Sequence, residues 1–587
     1  MDIYRPITDQ PDFRSAPNKA SSHISLAALT LLCLSGVASA QTVVPSDVKP
    51  ACIVSAVEFS NWFTSGTVTA NGGVDPADSV TFPNVPNCSF YKWSEQMFLW
   101  LTSPVPAKYG AGSHVFNSPV FYDLSPPDPT TGVRTLVPNT PGRLRDFSVR
   151  ISQLGPRHQR VAFDQTGKMF NVARSDLGPG GKLLVRNRAN QFVEIERTQV
   201  GPGGKPVLLD KTGKAIDFRV ARNGELSLRD KADKLLNLRL SNTLINGRPF
   251  FIDAAGNAVP TEQGEADGNV LMAQNGSLVY YALQVNDVFA YFLTGQKGGQ
   301  ISATTFPTTP AALNSIEAFA LTHSKTFPDA NALAVELKSA WVEATGLDTS
   351  KYVTMNATIP SYDKVSPTQW NANGTRQAVL ALVGIHVVGS AAGHPEMIWA
   401  TFEHVNNTRD TQYSYTNNAS PAATVTVPQD NGGSWTFSTT PPSASPNLPL
   451  IKVSGPNLVA AAPPTPIGPS DVLRMSPWGM PGTSTSSNTE VVAINNSVLS
   501  QLAAGDIRKN YIMTGATWTI FGAPPSNSNQ VGTNKLANST METFFQPSNC
   551  FACHQGNMLG TLDGPPPTPP AGNGLSHVYG PIKPLFP

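Results

Sequence analysis

The order of apolar and polar residues along the chain predicts a mixture of helices and strands. Large apolar side chains crowd residues 93–101, which predicts a buried helix that ends before Pro104. Residues 332–341 combine helical spacing with good helix formers and predict a second helix within 310–350. Residues 378–388 form an apolar run rich in β-formers, which is typical of a buried strand.

A different pattern occupies residues 155–285, where short apolar segments flank polar turns that contain glycine. The turns at 163–168 and 209–214 are near copies, and those at 252–257 and 273–277 follow the same plan. An apolar segment, a glycine turn and a second apolar segment predict a β-hairpin. Since the unit recurs, residues 151–300 are predicted to be a β-hairpin repeat insertion, to which no binding role is assigned.

The N-terminal region resembles an export signal. Residues 24–38 are apolar, and Ala38-Ser39-Ala40 follows them as a cleavage pattern, so the mature chain is expected to begin at Gln41. The alternative is a membrane anchor, but the run is shorter than the ~20 residues needed to cross a bilayer. We therefore predict a signal peptide over 1–40, a periplasmic or secreted protein, and no stable membrane span after cleavage.

Composition and charge refine the picture. The chain has 587 residues, of which 14% are charged, with 52 Pro and 47 Gly, and this length predicts several domains. The expected fold class is α+β and multidomain, with a β-rich body, short helices and a small C-terminal segment. The net charge of +1 provides no basic field for nucleic acid. The predicted parts are, in order, 1–40 signal peptide, 41–150 N-terminal mixed α/β part, 151–300 insertion, 301–515 mixed α/β body and 516–587 C-terminal segment.

Cysteine usage agrees with export. Cleavage would remove Cys33, and two of the remaining cysteines belong to a motif near the C-terminus. Cys52 and Cys88 are then left as a pair, for which a disulfide bond is expected in an oxidising compartment. Two buried free thiols are the alternative.

The C-terminal motif is Cys550-Phe551-Ala552-Cys553-His554. This spacing supplies two thiols that can add to the vinyl groups of a haem, and a histidine that can bind its iron from the proximal side. One covalently attached haem c is therefore predicted, which makes residues 516–587 a small haem-binding segment of the c type. The alternative of a zinc site requires four ligands, and only His577 lies near the motif as a further candidate ligand. A redox dithiol would be expected to open a helix after a strand in a βαβ unit.

The sixth iron ligand is a separate question. Met558 follows His554 too closely to reach the other side of the ring, whereas His577 can cross through the Pro/Gly-rich residues 560–574. His577 is the candidate distal ligand, and an exposed tail histidine is the alternative. His386 and His404 are the reserve candidates, and they could also form a separate metal site with Glu403 or be ordinary core histidines.

Four segments carry a resemblance to a known family: 270–281, 336–341, 382–386 with 398–404, and 536–543 ahead of the motif. They resemble large exported bacterial proteins with a single C-terminal haem motif, described as cytochrome c family proteins. The likeness runs in patches over residues 80–580, with 150–250 similar to an insertion. It implies export, haem attachment at Cys550 and Cys553, and His554 as proximal ligand, but no settled reaction. Gly389 stands where a second histidine after His386 is expected.

Two main functions follow as expectations. The first is electron transfer, with a redox protein or a small-molecule electron donor or acceptor as partner. The second is a haem-dependent oxidoreductase, a peroxidase or oxygenase, with an open distal site and acid–base groups such as His404 and Glu403. A structural protein that uses haem as a staple is a third alternative. The long chain ahead of the motif favours a substrate site or a partner surface without naming one.

Overall fold

This computed structural model describes residues 41–83, 87–126, 133–140, 142–149, 269–454, 456–480, 482, 484–525, 529–544, 546, 550–554, 575, 576, 579 and 582–586, with parts of 160–259. All of them belong to one unit of the chain, Ser39–Pro587. The predicted signal peptide lies outside the described residues, as do Met558, the connector 560–574 and His577.

The described residues contain six α-helices. Polar caps begin two of them, because Asn286 accepts a hydrogen bond from the Phe289 amide and Thr309 accepts one from the Ala312 amide. None of the described helices is both long and apolar enough to cross a membrane. The second helix confirms the prediction made for residues 93–101. The helices are α1 Ala56–Trp62, α2 Asn87–Leu101, α3 Asp287–Lys297, α4 Pro310–Thr322, α5 Ser486–Gln501 and α6 Cys550–Cys553.

Strands make up most of the remaining regular structure in the described residues. In chain order they are β1 Phe121–Leu124, β2 Leu136–Pro138, β3 Arg145–Asp146, β4 Arg160–Phe163, β5 Met169–Val172, β6 Leu184–Arg186, β7 Phe192–Glu194, β8 Arg197–Val200, β9 Pro206–Leu209, β10 Leu226–Arg229, β11 Leu235–Ile245, β12 Arg248–Ile252, β13 Ala258–Val259, β14 Asn269–Val270, β15 Tyr280–Asn286, β16 Val335–Glu343, β17 Thr354–Ser366, β18 Gln369–Ala391, β19 His394–His404, β20 Arg409–Asp410, β21 Tyr413–Thr416, β22 Thr424–Val427, β23 Ile451–Ser454, β24 Asn457–Ala460, β25 Leu473–Arg474, β26 Tyr511–Thr519 and β27 Gln530–Gly532.

A sheet of thirteen strands forms the body. Its main path is β14-β23-β24-β18-β16-β15-β1-β2; β17 and β19 also pair with β18, β26 extends the sheet from β19, β27 follows β26, and β3 joins β17. Apart from β3 on β17, these pairs are antiparallel. Helix α2 covers one face, where Phe98 stacks on Phe402 with ring centroids 4.3 Å apart. The α+β class with short helices is confirmed.

The helix predicted over residues 332–341 is wrong, because most of this segment is strand β16. Along β16, half-buried Glu336 and Lys338 alternate with the buried Val335 and Leu337. That two-residue period is typical of a strand, and the good helix formers in the segment obscured it. Pairing with β15 on one edge and β18 on the other satisfies its backbone, so the sheet overrides local helix propensity.

Antiparallel pairs flank two of the predicted turns, β4–β5 at 163–168 and β12–β13 at 252–257, and single antiparallel bridges flank the other two, Leu209–Ala215 and Met272–Leu278. The pairs β6–β7 and β8–β9 are further hairpins that the repeat did not indicate. The turns at 210–214 and 273–277 share one geometry. Gly213 and Gly276 both have positive φ and donate their amides to Asp210 and Ala273. The main sheet crosses two of the predicted boundaries, because β15 lies before residue 300 and β26 spans residue 516.

Candidate functional site

The C-terminal motif lies on the short helix α6, which begins at the first motif cysteine. The His554 amide donates to the carbonyl of Cys550 at 2.8 Å and completes the turn. Phe551 is fully buried with its ring edge-on to Trp399, and the Cys550 side chain is half-buried. The helix is therefore held against the body through its second residue. The described part of residues 536–546 contains no strand.

His554 is oriented by two neighbours. Its Nδ1 lies 2.7 Å from the Leu575 carbonyl oxygen, and its ring centroid lies 4.3 Å from that of Trp399. A carbonyl only accepts hydrogen bonds, so Nδ1 carries the proton and Nε2 carries the lone pair. Burial lowers the pKa of His554 to about 4, which keeps the ring neutral. Histidines that bind metals are commonly oriented in this way through their second nitrogen.

The surface around His554 comes from three neighbouring strands. Lys338 of β16 pairs with His386 of β18, and Glu336 and Trp399 lie in the adjacent cross-strand row. Because side chains alternate along a strand, these positions share one face of the sheet. Trp399 contacts His554 directly, and the charges of Lys338 and His386 both act on its pKa. The motif therefore lies over a face that mixes an indole with ionisable groups.

Glu542 joins that face from the segment ahead of the motif. Its carboxylate lies 3.0 and 3.2 Å from His386 Nε2 and 3.4 Å from Lys338 Nζ, and it accepts the Asn538 amide at 2.8 Å. Burial opposes its ionisation, but His386 and Lys338 hold the pKa of Glu542 well below its ordinary value. We refer to Lys338, His386 and Glu542 as the Glu542 cluster. It places both signs of charge near His554, where Lys338 and His386 lower the pKa more strongly than Glu542 raises it.

The segment 536–546 is bound tightly to the sheet before it reaches the motif. The Asn538 side-chain amide donates to the Thr401 hydroxyl at 2.9 Å and to the Phe402 carbonyl at 3.0 Å. Gly384 makes room for this approach, since a Cβ there would lie 2.4 Å from the hydroxyl oxygen of Thr540. The absence of a side chain at Gly384 thus lets the segment lie directly against β18.

His404 is a core histidine. Its ring stacks on Tyr352 at 3.8 Å, Nε2 donates to the Lys351 carbonyl at 3.0 Å, and Nδ1 accepts the Asn406 amide at 3.2 Å. Burial lowers the pKa of His404 to about 3. Both ring nitrogens are engaged, so the structure contradicts a role for His404 as an iron ligand or a distal acid–base group.

Glu403 is also part of the core. Neighbouring residues of a strand point to opposite faces, and Glu403 lies on the face away from His404. It forms a buried ion pair with Arg474 at 3.0 Å and accepts the amide of Ser539 at 2.7 Å. The hypothesis of a metal or acid–base site shared by His404 and Glu403 is therefore wrong. His386 alone of these reserve candidates lies near the motif.

Other cysteine and metal predictions can be compared with the described residues. Cys52 and Cys88 lie at disulfide distance with their Cα atoms 5.3 Å apart, which confirms their pairing. In the part of the chain that the structure describes, no group of three or more His, Cys, Asp or Glu side chains could hold a metal ion. A haem iron needs fewer protein ligands, because the porphyrin supplies the equatorial ones.

Sequence reasoning identified the motif and His386 but missed the groups that orient them. Leu575, Trp399 and Glu542 are distant from one another in the chain, and the fold alone brings them to His554. One signal was present in the sequence: Glu336 and Lys338 are polar residues two positions apart in β16, a segment that was interpreted as a helix.

No protein-family model, curated protein or solved structure matches the chain.

Proposed function

We propose that this protein is an exported c-type cytochrome that carries one haem c and takes part in electron transfer. Cys550 and Cys553 would attach the haem through thioether bonds, and His554 would bind the iron from the proximal side. The observation that carries the proposal is the orientation of His554. On a C-x-x-C-H helix, its Nδ1 donates to the Leu575 carbonyl, which leaves the lone pair on Nε2.

When bound, a haem supplies one-electron chemistry at its iron. This chain would contribute the environment of that chemistry. Leu575 fixes the tautomer and direction of the His554 ring, and Trp399 packs against it. The charge of Glu542 would be offset at the iron by its partners Lys338 and His386, so the cluster would favour neither oxidation state through its carboxylate alone. His577 follows Leu575 by two residues, which span at most about 7 Å, so it could not reach the distal side while the Leu575 carbonyl holds Nδ1 of the proximal ligand. His386 is then the candidate distal ligand.

Electron transfer is preferred over the alternative of a peroxidase or oxygenase. That alternative needs acid–base groups on an open distal side, and His404 and Glu403 were the named candidates. Both are committed to hydrogen bonds and ion pairs inside the body. The expected partner is a redox protein or a small-molecule electron donor or acceptor.

A periplasmic or secreted location is part of the proposal. It is supported by the signal pattern that ends at Ala40 and by the Cys52–Cys88 pair, since disulfides persist in oxidising compartments. The exported protein should have Gln41 as its first residue. N-terminal sequencing that returns Met1 would contradict the signal peptide.

The function is tested by absorption spectra of the purified exported protein, oxidised and reduced, with and without carbon monoxide. The reduced protein should show c-type haem bands, and carbon monoxide should leave them unchanged because both axial positions are filled. A protein without haem bands would refute the proposed function. Haem bands that shift with carbon monoxide would instead favour the oxidoreductase alternative.

A further inference from the structure

The tail that follows the haem motif is bound to the last turns of helix α3. Lys297 donates from Nζ to the carbonyl oxygens of Tyr579 and Ile582, both at 2.7 Å. The Leu585 amide donates to the Thr294 hydroxyl at 3.1 Å. One lysine therefore holds two points of the tail, and its helix holds a third.

Lys297 suits this role chemically. An ammonium has three donors and no acceptor, so it can bond two carbonyl oxygens at once. Its position in the last turn of α3 is also where the helix dipole favours a cation. The ammonium lies 5.5 Å from the centre of the Tyr579 ring, which packs against Phe289 and Phe306. The Tyr579 backbone is therefore fixed from both its carbonyl and its side chain.

The same tail supplies the hydrogen bond to the proposed iron ligand. Leu575, whose carbonyl accepts from His554, lies four residues before Tyr579 and is itself fully buried. Ser576 lies beside the carboxyl of Glu336 on β16. The Leu575 carbonyl, which accepts from His554, and the Tyr579 carbonyl, which accepts from Lys297, are thus only four residues apart. We therefore expect movement at Tyr579 to be transmitted to Leu575.

We propose that Lys297 is a positioning residue for His554. By holding the tail against α3, it maintains the hydrogen bond between His554 Nδ1 and the Leu575 carbonyl. The inference rests on the proposed function. A firm hydrogen bond to Nδ1 makes the imidazole a stronger donor to iron, which favours the oxidised state. Loosening the tail should weaken that bond and raise the reduction potential.

The test compares Lys297→Met, which removes the donors, with Lys297→Gln, which retains one amide donor. Lys325→Met is the matched control, because Lys325 lies 3.6 Å from Asp287 at the opposite end of α3. Two readouts are taken from haem-loaded full-length protein: the reduction potential, and hydrogen exchange of the peptide that covers 575–586. Lys297→Met should raise the potential and speed exchange about tenfold. Lys297→Gln should do both to a smaller extent.

The outcomes separate this inference from the proposed function. Wild-type protein without covalent haem would refute the function itself. Haem-loaded Lys297 variants with a wild-type potential would refute only the positioning role, whether or not exchange changes. A Lys325→Met protein that shifts the potential as much as Lys297→Met would also overturn it, because the effect would then belong to α3 as a whole. If Lys297→Met does not fold, the comparison of Lys297→Gln with Lys325→Met decides.

Discussion

A methyl group added at Gly384 should displace the segment that leads to the motif. The Cβ of Gly384→Ala would lie 2.4 Å from the Thr540 hydroxyl oxygen and 2.7 Å from the side-chain oxygen of Asn538. Both distances are far shorter than van der Waals contact. Because β18 is paired on both sides at this point, the segment rather than the strand is expected to move.

The cost can be estimated from the contacts. Overpacking of a buried site costs about 1–3 kcal/mol. If Asn538 also loses its bonds to Thr401 and Phe402, each adds about 1 kcal/mol. We therefore expect Gly384→Ala to lower the free energy of unfolding by about 1–3 kcal/mol, or by about 3–5 kcal/mol if both bonds are lost, measured by urea denaturation. We expect haem content per chain to fall as well, since the displaced segment directly precedes the motif in the chain.

Gly432→Ala is the matched control, because nothing lies within 4 Å of a Cβ at that position. It should change the stability by less than about 0.5 kcal/mol. If Gly384→Ala is as stable as Gly432→Ala, the segment does not press on β18 as described, and this explanation of where the segment lies is refuted.

Three further predictions concern the disulfide, a buried carboxyl and the sixth ligand. Replacing Cys52 and Cys88 together by Ala should cost about 4 kcal/mol of unfolding free energy for a sequence separation of 36, and an unchanged urea midpoint would contradict the bond. Burial raises the pKa of Glu95 from 4.5 to about 8, so the folded state keeps a proton that the unfolded state loses, and stability should fall as pH rises between those values. Glu95→Gln should remove this loss, and a variant whose stability falls equally over that range would refute the assignment. His386→Ala should let carbon monoxide bind the reduced haem, whereas His577→Ala should leave it excluded; carbon monoxide binding in His577→Ala alone would identify His577 as the sixth ligand and contradict the hydrogen bond between Leu575 and His554.

Parts of the fold were predictable because their signals are local. Helix α2 follows from its apolar crowding, and the hairpin turns follow from glycines such as Gly213 and Gly276 that have positive φ. β16 was not predictable in this way, because alanine, leucine, glutamate and lysine favour a helix until two neighbouring strands offer their backbone bonds. The membership of β15 and β26 in a single sheet depends on long-range pairing, which no local pattern encodes.

The candidate site divides in the same manner. Cys550, Cys553 and His554 form a motif within five residues and are identified from the sequence alone. The carbonyl of Leu575 is a backbone atom, so no residue type marks it. The role of His404 could not be separated from that of His386 by sequence, since only the fold reveals that one is engaged in the core and the other lies near the motif.

The most direct test of the account is whether haem stays attached to the denatured chain. Exported protein is run on a denaturing gel and assayed for haem, beside the Cys550→Ala/Cys553→Ala double variant and the Cys52→Ala/Cys88→Ala double variant as control. We predict one covalently bound haem per chain in the wild type and in the control, and none in the motif variant. A wild-type chain that carries no haem, or a motif variant that retains it through denaturation, would contradict the central claim.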